Sequence, residues 1–252
     1  SILEWTIAKL QGIHPKNVIS FSSQTISVLA ILRTNLLNHK NTQINYTGAL
    51  PDAFDSDVLR RVYGYQFELK QVENAAAVSQ FDGSTIFISQ QKDLSKITLS
   101  NSIDFYITSL AQLGSVVFVN GILNEAYISD IQHVRRRETI AMTPANSLSA
   151  LQSLINTSPF ENSTNHLEAH KKKVLNSITD ITGADTTPIV GSSGLSVQYA
   201  IMMGLIHDAQ EKHPGKAIKF IVPPNCYGGT NDQARRVAAC IKNVEVVDLP
   251  VD

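Results

Sequence analysis

The sequence predicts an α/β protein in which a C-terminal stretch begins an open, doubly wound sheet and an α/β region precedes it. Residues 187–252 alternate Val/Ile-rich runs with helix-forming runs through short connections, the strand–helix–strand order of parallel crossover units. A second β-α-β rhythm runs through residues 83–120. A chain of 252 residues has room for one large or two ordinary domains. The division is expected at residue 150: an N-terminal α/β region of 1–150, then the first part of a ligand-binding domain over 151–252.

Residues 1–40 read as helical apart from Asn17-Val-Ile-Ser-Phe21, a short strand. Ser22-Ser-Gln-Thr25 supplies cap-type residues before the apolar run Ile26–Leu32. Residues 38–56, rich in Asn, Thr and Asp, read as a loop; a helix is expected over Asp57–Gln66, where Val58, Leu59 and Val62 recur at helical spacing. Asp82-Gly-Ser84 is a turn, Thr85–Ser89 a strand, 102–113 a helix, and Ser115–Val119 a buried strand closed by Asn120-Gly121. Residues 122–137 form a helix ending in Arg135-Arg-Arg137, where cations suit the C-terminal dipole. Two further helices are expected over Ser147–Ile155 and Thr164–Ile181, and the basic run His170–Lys173 on the second reads as a solvated face. Then come the strand Thr187–Val190, the turn Ser192–Ser196, the helix Val197–Glu211 and the strand Lys216–Val222. The loop Pro223–Thr230, the helix Asn231–Lys242 and the strand Val244–Leu249 complete the series.

Composition excludes several function classes. The formal net charge of -1 argues against broad nucleic-acid binding, which needs a basic surface to displace counterions. No run approaches the roughly 18 apolar residues of a membrane span. The start, Ser1-Ile-Leu-Glu-Trp5, lacks the pattern of a signal peptide, and Cys226 and Cys240 are too few for a disulfide framework, so a cytoplasmic setting is expected. His14, His39 and His133 lack metal-ligand spacing.

Two loops carry candidate chemistry. Gly191-Ser-Ser-Gly-Leu-Ser196 lies between an expected strand and helix, where small residues let backbone N–H groups converge on an anion at a helix start. It reads equally well as a tight turn that only caps the helix. Asn225-Cys-Tyr-Gly-Gly-Thr230 follows the next strand, and its paired glycines place Tyr227 where a ring can stack on a flat ligand. The plainer reading is a turn with Thr230 as N-cap and Cys226 as a small packed residue. Together the loops describe one crevice suited to a phosphorylated flat ligand. One more stretch shares the strand–Ser-Ser–helix pattern: Ile13–Ser27 sounds like residues 187–197. Chance likeness of two strand-to-helix turns is the simpler account, a degenerate internal repeat the other.

Ser192-Ser-Gly-Leu-Ser196 followed by Tyr227-Gly-Gly-Thr230 resembles the Cys/Met-metabolism family of pyridoxal-phosphate enzymes. That family includes cystathionine γ-synthase, the cystathionine β- and γ-lyases and methionine γ-lyase. Leu195 stands where its members usually have Met. The resemblance implies a type I aminotransferase-like fold, pyridoxal 5'-phosphate as cofactor, a sulfur amino acid as substrate for γ-replacement or β/γ-elimination, and a homo-oligomer. It implies that Ser193, Gly194 and Leu195 hold the cofactor phosphate and that Tyr227 stacks on its ring. The family's upstream Asn-Pro-Thr and Leu-Glu are matched by Asn162-Ser-Thr164 and Leu167-Glu168, while Thr157 and Pro159 occupy its Tyr and Arg positions. The likeness covers about residues 157–252, the opening part of a family member. The lysine that bonds the cofactor lies downstream in the family, so this chain is expected to be an inactive N-terminal portion, and its catalytic residues are unassigned. A non-catalytic module that binds a phosphorylated small molecule or a partner subunit is the alternative. A nucleotide-binding Rossmann domain is a weaker third, because no glycine fingerprint with its acidic residue is present.

Overall fold

The computed structural model describes residues 1–90, 94, 97–156 and 166–250. Among them, strands β1 (Val18–Phe21), β2 (Thr42–Tyr46), β3 (Glu68–Gln71), β4 (Ser84–Gln90), β5 (Phe105–Leu110) and β6 (Gly114–Val119) form one sheet in the order β1-β6-β5-β4-β2-β3. β2, β3, β4 and β5 run parallel, whereas β6 is antiparallel to both β1 and β5.

The central strands are buried on both faces, and the period-two alternation of side chains sorts their residues into two cores. Ile86, Ile88, Phe105, Ile107, Val117 and Val119 pack against helices α2 (Ile26–Leu37), α3 (Ser56–Arg61) and α4 (Ile128–Arg137). On the other face, Phe87, Tyr106, Val116 and Phe118 meet α1 (Ile2–Gln11) and α5 (Pro144–Asn156). The result is a helix–sheet–helix sandwich. The division expected at residue 150 falls inside α5.

A smaller α/β unit follows α6 (Leu167–Thr182). It comprises α7 (Gly194–Lys212), β7 (Ile218–Val222), α8 (Gly228–Cys240) and β8 (Val244–Asp248), with β7 and β8 parallel. Tyr199, Met202, Met203 and Ile206 of α7 and Ala234 and Val237 of α8 form its core. They also rest on Val62, Val58, Tyr63 and Ile26 of the first unit.

Four expectations need correction. Residues 105–110, read as part of a helix, are β5. The aromatic and β-branched run Phe105-Tyr-Ile-Thr favours a pleated surface, and β5 turns directly into β6 as a hairpin. That turn closes at Gly114, with φ of 126° and a position where a Cβ would stand 2.0 Å from the Phe21 carbonyl oxygen. With β5 interposed, the parallel pairing expected of Thr85–Ser89 with Ser115–Val119 does not form: β4 runs parallel to β5, and β6 lies antiparallel on the far side of β5. The loop of 38–56 contains β2, whose Ile44 is buried among the central strands. The helix expected over Asp57–Gln66 is the shorter α3, capped by Asp55, whose carboxylate accepts the amides of Asp57 and Val58 at 3.0 Å each. Finally, residues 187–190 are not a strand, and Ile189 is 88% exposed. Without a neighbour to pair with, an apolar run has no ladder to join. Among the described residues the second unit therefore has two strands rather than three.

Candidate functional site

Ser193 is the N-cap of α7: its Oγ accepts the amide of Ser196 at 3.1 Å, and Ser196 Oγ accepts the amide of Ser193 at 2.9 Å. This reciprocal box satisfies the third helical amide. The amides of Gly194 and Leu195, which no helix can satisfy internally, are left at the helix start. A Cβ on Gly194 would meet nothing within 4 Å, so that start faces open space.

α8 begins earlier than expected. Its N-cap is Tyr227, Gly228 and Gly229 are its first residues, and Thr230 lies inside the first turn rather than capping it. Thr230 Oγ1 donates to Gln198 Oε1 at 2.9 Å, Gln198 Nε2 to Gln233 Oε1 at 2.8 Å, and Gln233 Nε2 to the Leu195 carbonyl at 3.0 Å. This part-buried relay ties the start of α8 to the start of α7. The two loops singled out in the sequence are thus joined.

Gly229 is where they meet. A Cβ there would lie 2.6 Å from the Tyr227 ring, 2.9 Å from Arg137 Nη1 and 3.1 Å from Leu195 Cδ1. These three side chains fill the space that a Cβ at position 229 would enter. Tyr227 remains 68% exposed, so one side of its ring is open. Cys226, half-buried, directs its thiol to the Tyr227 carbonyl at 3.6 Å and acts as a packed residue.

Sequence reasoning missed part of this site. Arg137 closes α4 as expected, but its side chain crosses to the second unit, where Nε lies 3.4 Å from Asp232 Oδ2. His133, one turn earlier on α4, bonds the same carboxylate at 2.7 Å. An i, i+4 His/Arg pair at a helix end was the available signal. The basic run His170–Lys173 is exposed on α6. Residues 157–165, with Thr157, Pro159 and Asn162–Thr164, lie outside the described residues. Among the described residues no group of three His, Cys, Asp or Glu side chains is arranged for a metal, and no helix is long and apolar enough to cross a membrane.

Beside the crevice, a buried cluster joins the two units. Arg33 of α2 pairs with Glu138, their side chains only 4% and 2% exposed, and Arg33 Nη2 donates to the Tyr199 hydroxyl at 3.3 Å. Burial pushes the Tyr199 phenol well above its ordinary pKa, and Glu138 adds to the effect. The pair therefore faces a neutral hydroxyl from α7.

No family model matches the chain, and no curated protein matches it. Among solved structures it is similar to the L-threonine-O-3-phosphate decarboxylase from Porphyromonas gingivalis. The identity is 9% and the TM-score 0.38, over 71% of this chain and 66% of that one. It is similar to Bna3p from Saccharomyces cerevisiae at 14% identity and a TM-score of 0.39, over 75% of this chain and 60% of that one. A third is the aminotransferase TlmJ from Streptoalloteichus hindustanus, at 7% identity and a TM-score of 0.32, over 84% of this chain and 74% of that one. The chain spans less than two thirds of the length of the first two. Similarity of this size is loose, and the functional reading rests on the chain's own residues.

Proposed function

We propose that the crevice between α7 and α8 binds pyridoxal 5'-phosphate, with Ser193, Gly194 and Leu195 at its phosphate and Tyr227 against its ring. The convergence of the Tyr227 ring, Leu195 and the Arg137 guanidinium on Gly229 carries this reading. The donor set fits the group. Two helix-start amides and a guanidinium suit a phosphate dianion, and an aromatic face suits a flat heterocycle.

In the full reading, the crevice belongs to a homo-oligomeric, cytoplasmic enzyme of sulfur amino-acid metabolism that performs γ-replacement or β/γ-elimination. The bound cofactor would supply an electron sink for a carbanion at the substrate α-carbon. The chain's own residues do simpler work. The Gly194 and Leu195 amides hold the phosphate, Tyr227 covers one ring face, and the Gln198–Gln233 relay fixes the two helix starts relative to each other. The lysine that bonds the cofactor is proposed to come from outside residues 191–232.

A non-catalytic binding module is the second reading. It is favoured by the pairing of two of this unit's lysines: Lys212 with Asp208 in the last turns of α7, and Lys219 with Glu245 across β7 and β8. Titration of the chain with pyridoxal 5'-phosphate, followed by cofactor fluorescence, tests both. Saturable one-to-one binding, competed by inorganic phosphate and weakened about tenfold by Tyr227→Ala, is expected. Absence of saturable binding, or equal binding of unphosphorylated pyridoxal, would overturn them. Cleavage of a carbon–sulfur bond by the complete protein separates the enzyme from the module.

A further inference from the structure

The Arg135-Arg-Arg137 run has one member that neither a helix dipole nor a solvated surface accounts for. Arg135 turns back to Glu4 at 2.8 Å within the first unit, whereas Arg137 reaches across into the second. Its backbone is anchored there, because Gln233 Nε2 donates both to the Arg137 carbonyl at 2.9 Å and to the Leu195 carbonyl at 3.0 Å. Its side chain is anchored as well. The Nε side of the guanidinium faces Asp232 Oδ2 at 3.4 Å, and His133 Nε2 holds that same oxygen at 2.7 Å. Nε is buried yet makes no hydrogen bond, so Asp232 orients the group through charge without consuming its donors.

With one edge of the guanidinium turned to Asp232, Nη1 lies against Gly229, next to the Tyr227 ring and Leu195. A planar guanidinium fork takes two oxygens of a phosphate, and a lysine in its place offers only a point charge.

We propose that Arg137 is a ligand-binding residue through which the N-terminal region completes the crevice. Its guanidinium binds the phosphate of a phosphorylated flat ligand, and Asp232 and His133 are positioning residues for it. The proposal rests on the phosphate-binding reading above and adds a residue that lies outside both loops that suggested it.

The experiment compares pyridoxal 5'-phosphate with pyridoxal on the full chain, by fluorescence titration of the unsubstituted protein, R137Q, R137K and D232N, with circular dichroism to confirm folding. R137Q is expected to weaken the phosphorylated ligand about 10- to 100-fold, the worth of a charged hydrogen bond, and to leave pyridoxal unchanged. R137K should recover part of the loss, and D232N should lose a few-fold with the same selectivity for the phosphate. Equal loss of both ligands in R137Q would assign Arg137 a structural role and overturn the proposal, as would unchanged binding. If the unsubstituted protein binds neither ligand, the underlying reading falls, and that result is distinct from both.

Discussion

Two pairs of helix starts in this chain are built alike and differ in what they can hold. They are those of α2 and α3 in the first unit and of α7 and α8 in the second, and each first helix is preceded by Ser-Ser. The first pair flanks a cavity of about 450 Å³ lined by Ser23, Gln24, Thr25, Asp52, Asp55 and Tyr63 among others. There Ser23 Oγ accepts the amides of Thr25 and Ile26 at 3.2 and 3.1 Å, and Asp55 accepts those of Asp57 and Val58. Capping side chains thus take four amides at these helix starts, and two carboxylates line the wall. At the second pair Ser193 consumes only the Ser196 amide, and the charged side chain beside it is Arg137. A helix dipole is common to both. What separates them is how many amides the capping side chains leave over, and the sign of the nearest charge.

The largest effect is expected at the seam between the two units. Arg33 on α2 and Glu138 after α4 are both buried, and the Tyr199 hydroxyl of α7 completes the cluster. Glu138→Ala leaves a guanidinium buried without its counter-charge, and an expected loss of about 3–5 kcal/mol follows, read from denaturant midpoints. The double variant Arg33→Met/Glu138→Leu removes both charges and should recover most of that loss. A single variant within 1 kcal/mol of the parent would mean that the seam does not join the units.

A smaller effect separates the two glycines of the second pair. Gly229→Ala forces a methyl into the Tyr227 ring and the Arg137 guanidinium, so affinity for pyridoxal 5'-phosphate should fall at least tenfold in the fluorescence titration. Gly194→Ala points its methyl into open space and should stay within about twofold. The reverse order of effects would show that Gly229 is not where the two loops meet.

The second unit was the more legible in sequence, because its helices and parallel strands are local and periodic, and the Ser-Ser-Gly and Tyr-Gly-Gly-Thr loops sit on adjoining helix starts. Where local pattern misled, the deciding term was pairing. Thr187–Val190 has strand composition and no ladder partner among the described residues, while Thr42–Tyr46 has polar composition and two partners, β3 and β4. Residues 102–113 are long enough for a helix, but the β-branched and aromatic centre Phe105–Thr108 finds β4 and β6 to pair with and forms β5. Arg137 was unreadable as a site residue for a different reason. It comes from a helix far upstream, and only the packing of α2, α3 and α4 against α7 and α8 carries it to Gly229.

The smallest expected effect contrasts a carboxylate of each unit under acid. Burial alone would raise the Glu4 carboxyl, but bonds from the N-terminal ammonium, from the Ser20 amide at 2.7 Å and hydroxyl at 2.8 Å, and the charge of Arg135 outweigh it and hold its pKa below the ordinary carboxylate range. Glu211 is also lowered, first by its bond from Arg61 and then by the neighbouring His207, but it is exposed on α7, where solvent screens the interaction. A carboxylate whose pKa is depressed on folding stabilises the protein above its unfolded pKa, and that stabilisation disappears as pH falls through the folded value. From pH 7 toward pH 3 the parent should therefore lose stability more steeply than Glu4→Gln, with the two curves converging at the acid end. Glu211→Gln should instead run parallel to the parent, because a screened surface pair has little to lose. If Glu211→Gln flattened the curve and Glu4→Gln did not, acid sensitivity would lie in the second unit. The tie from α1 through Glu4 to β1 and α4 would then not be what holds the first unit's edge together.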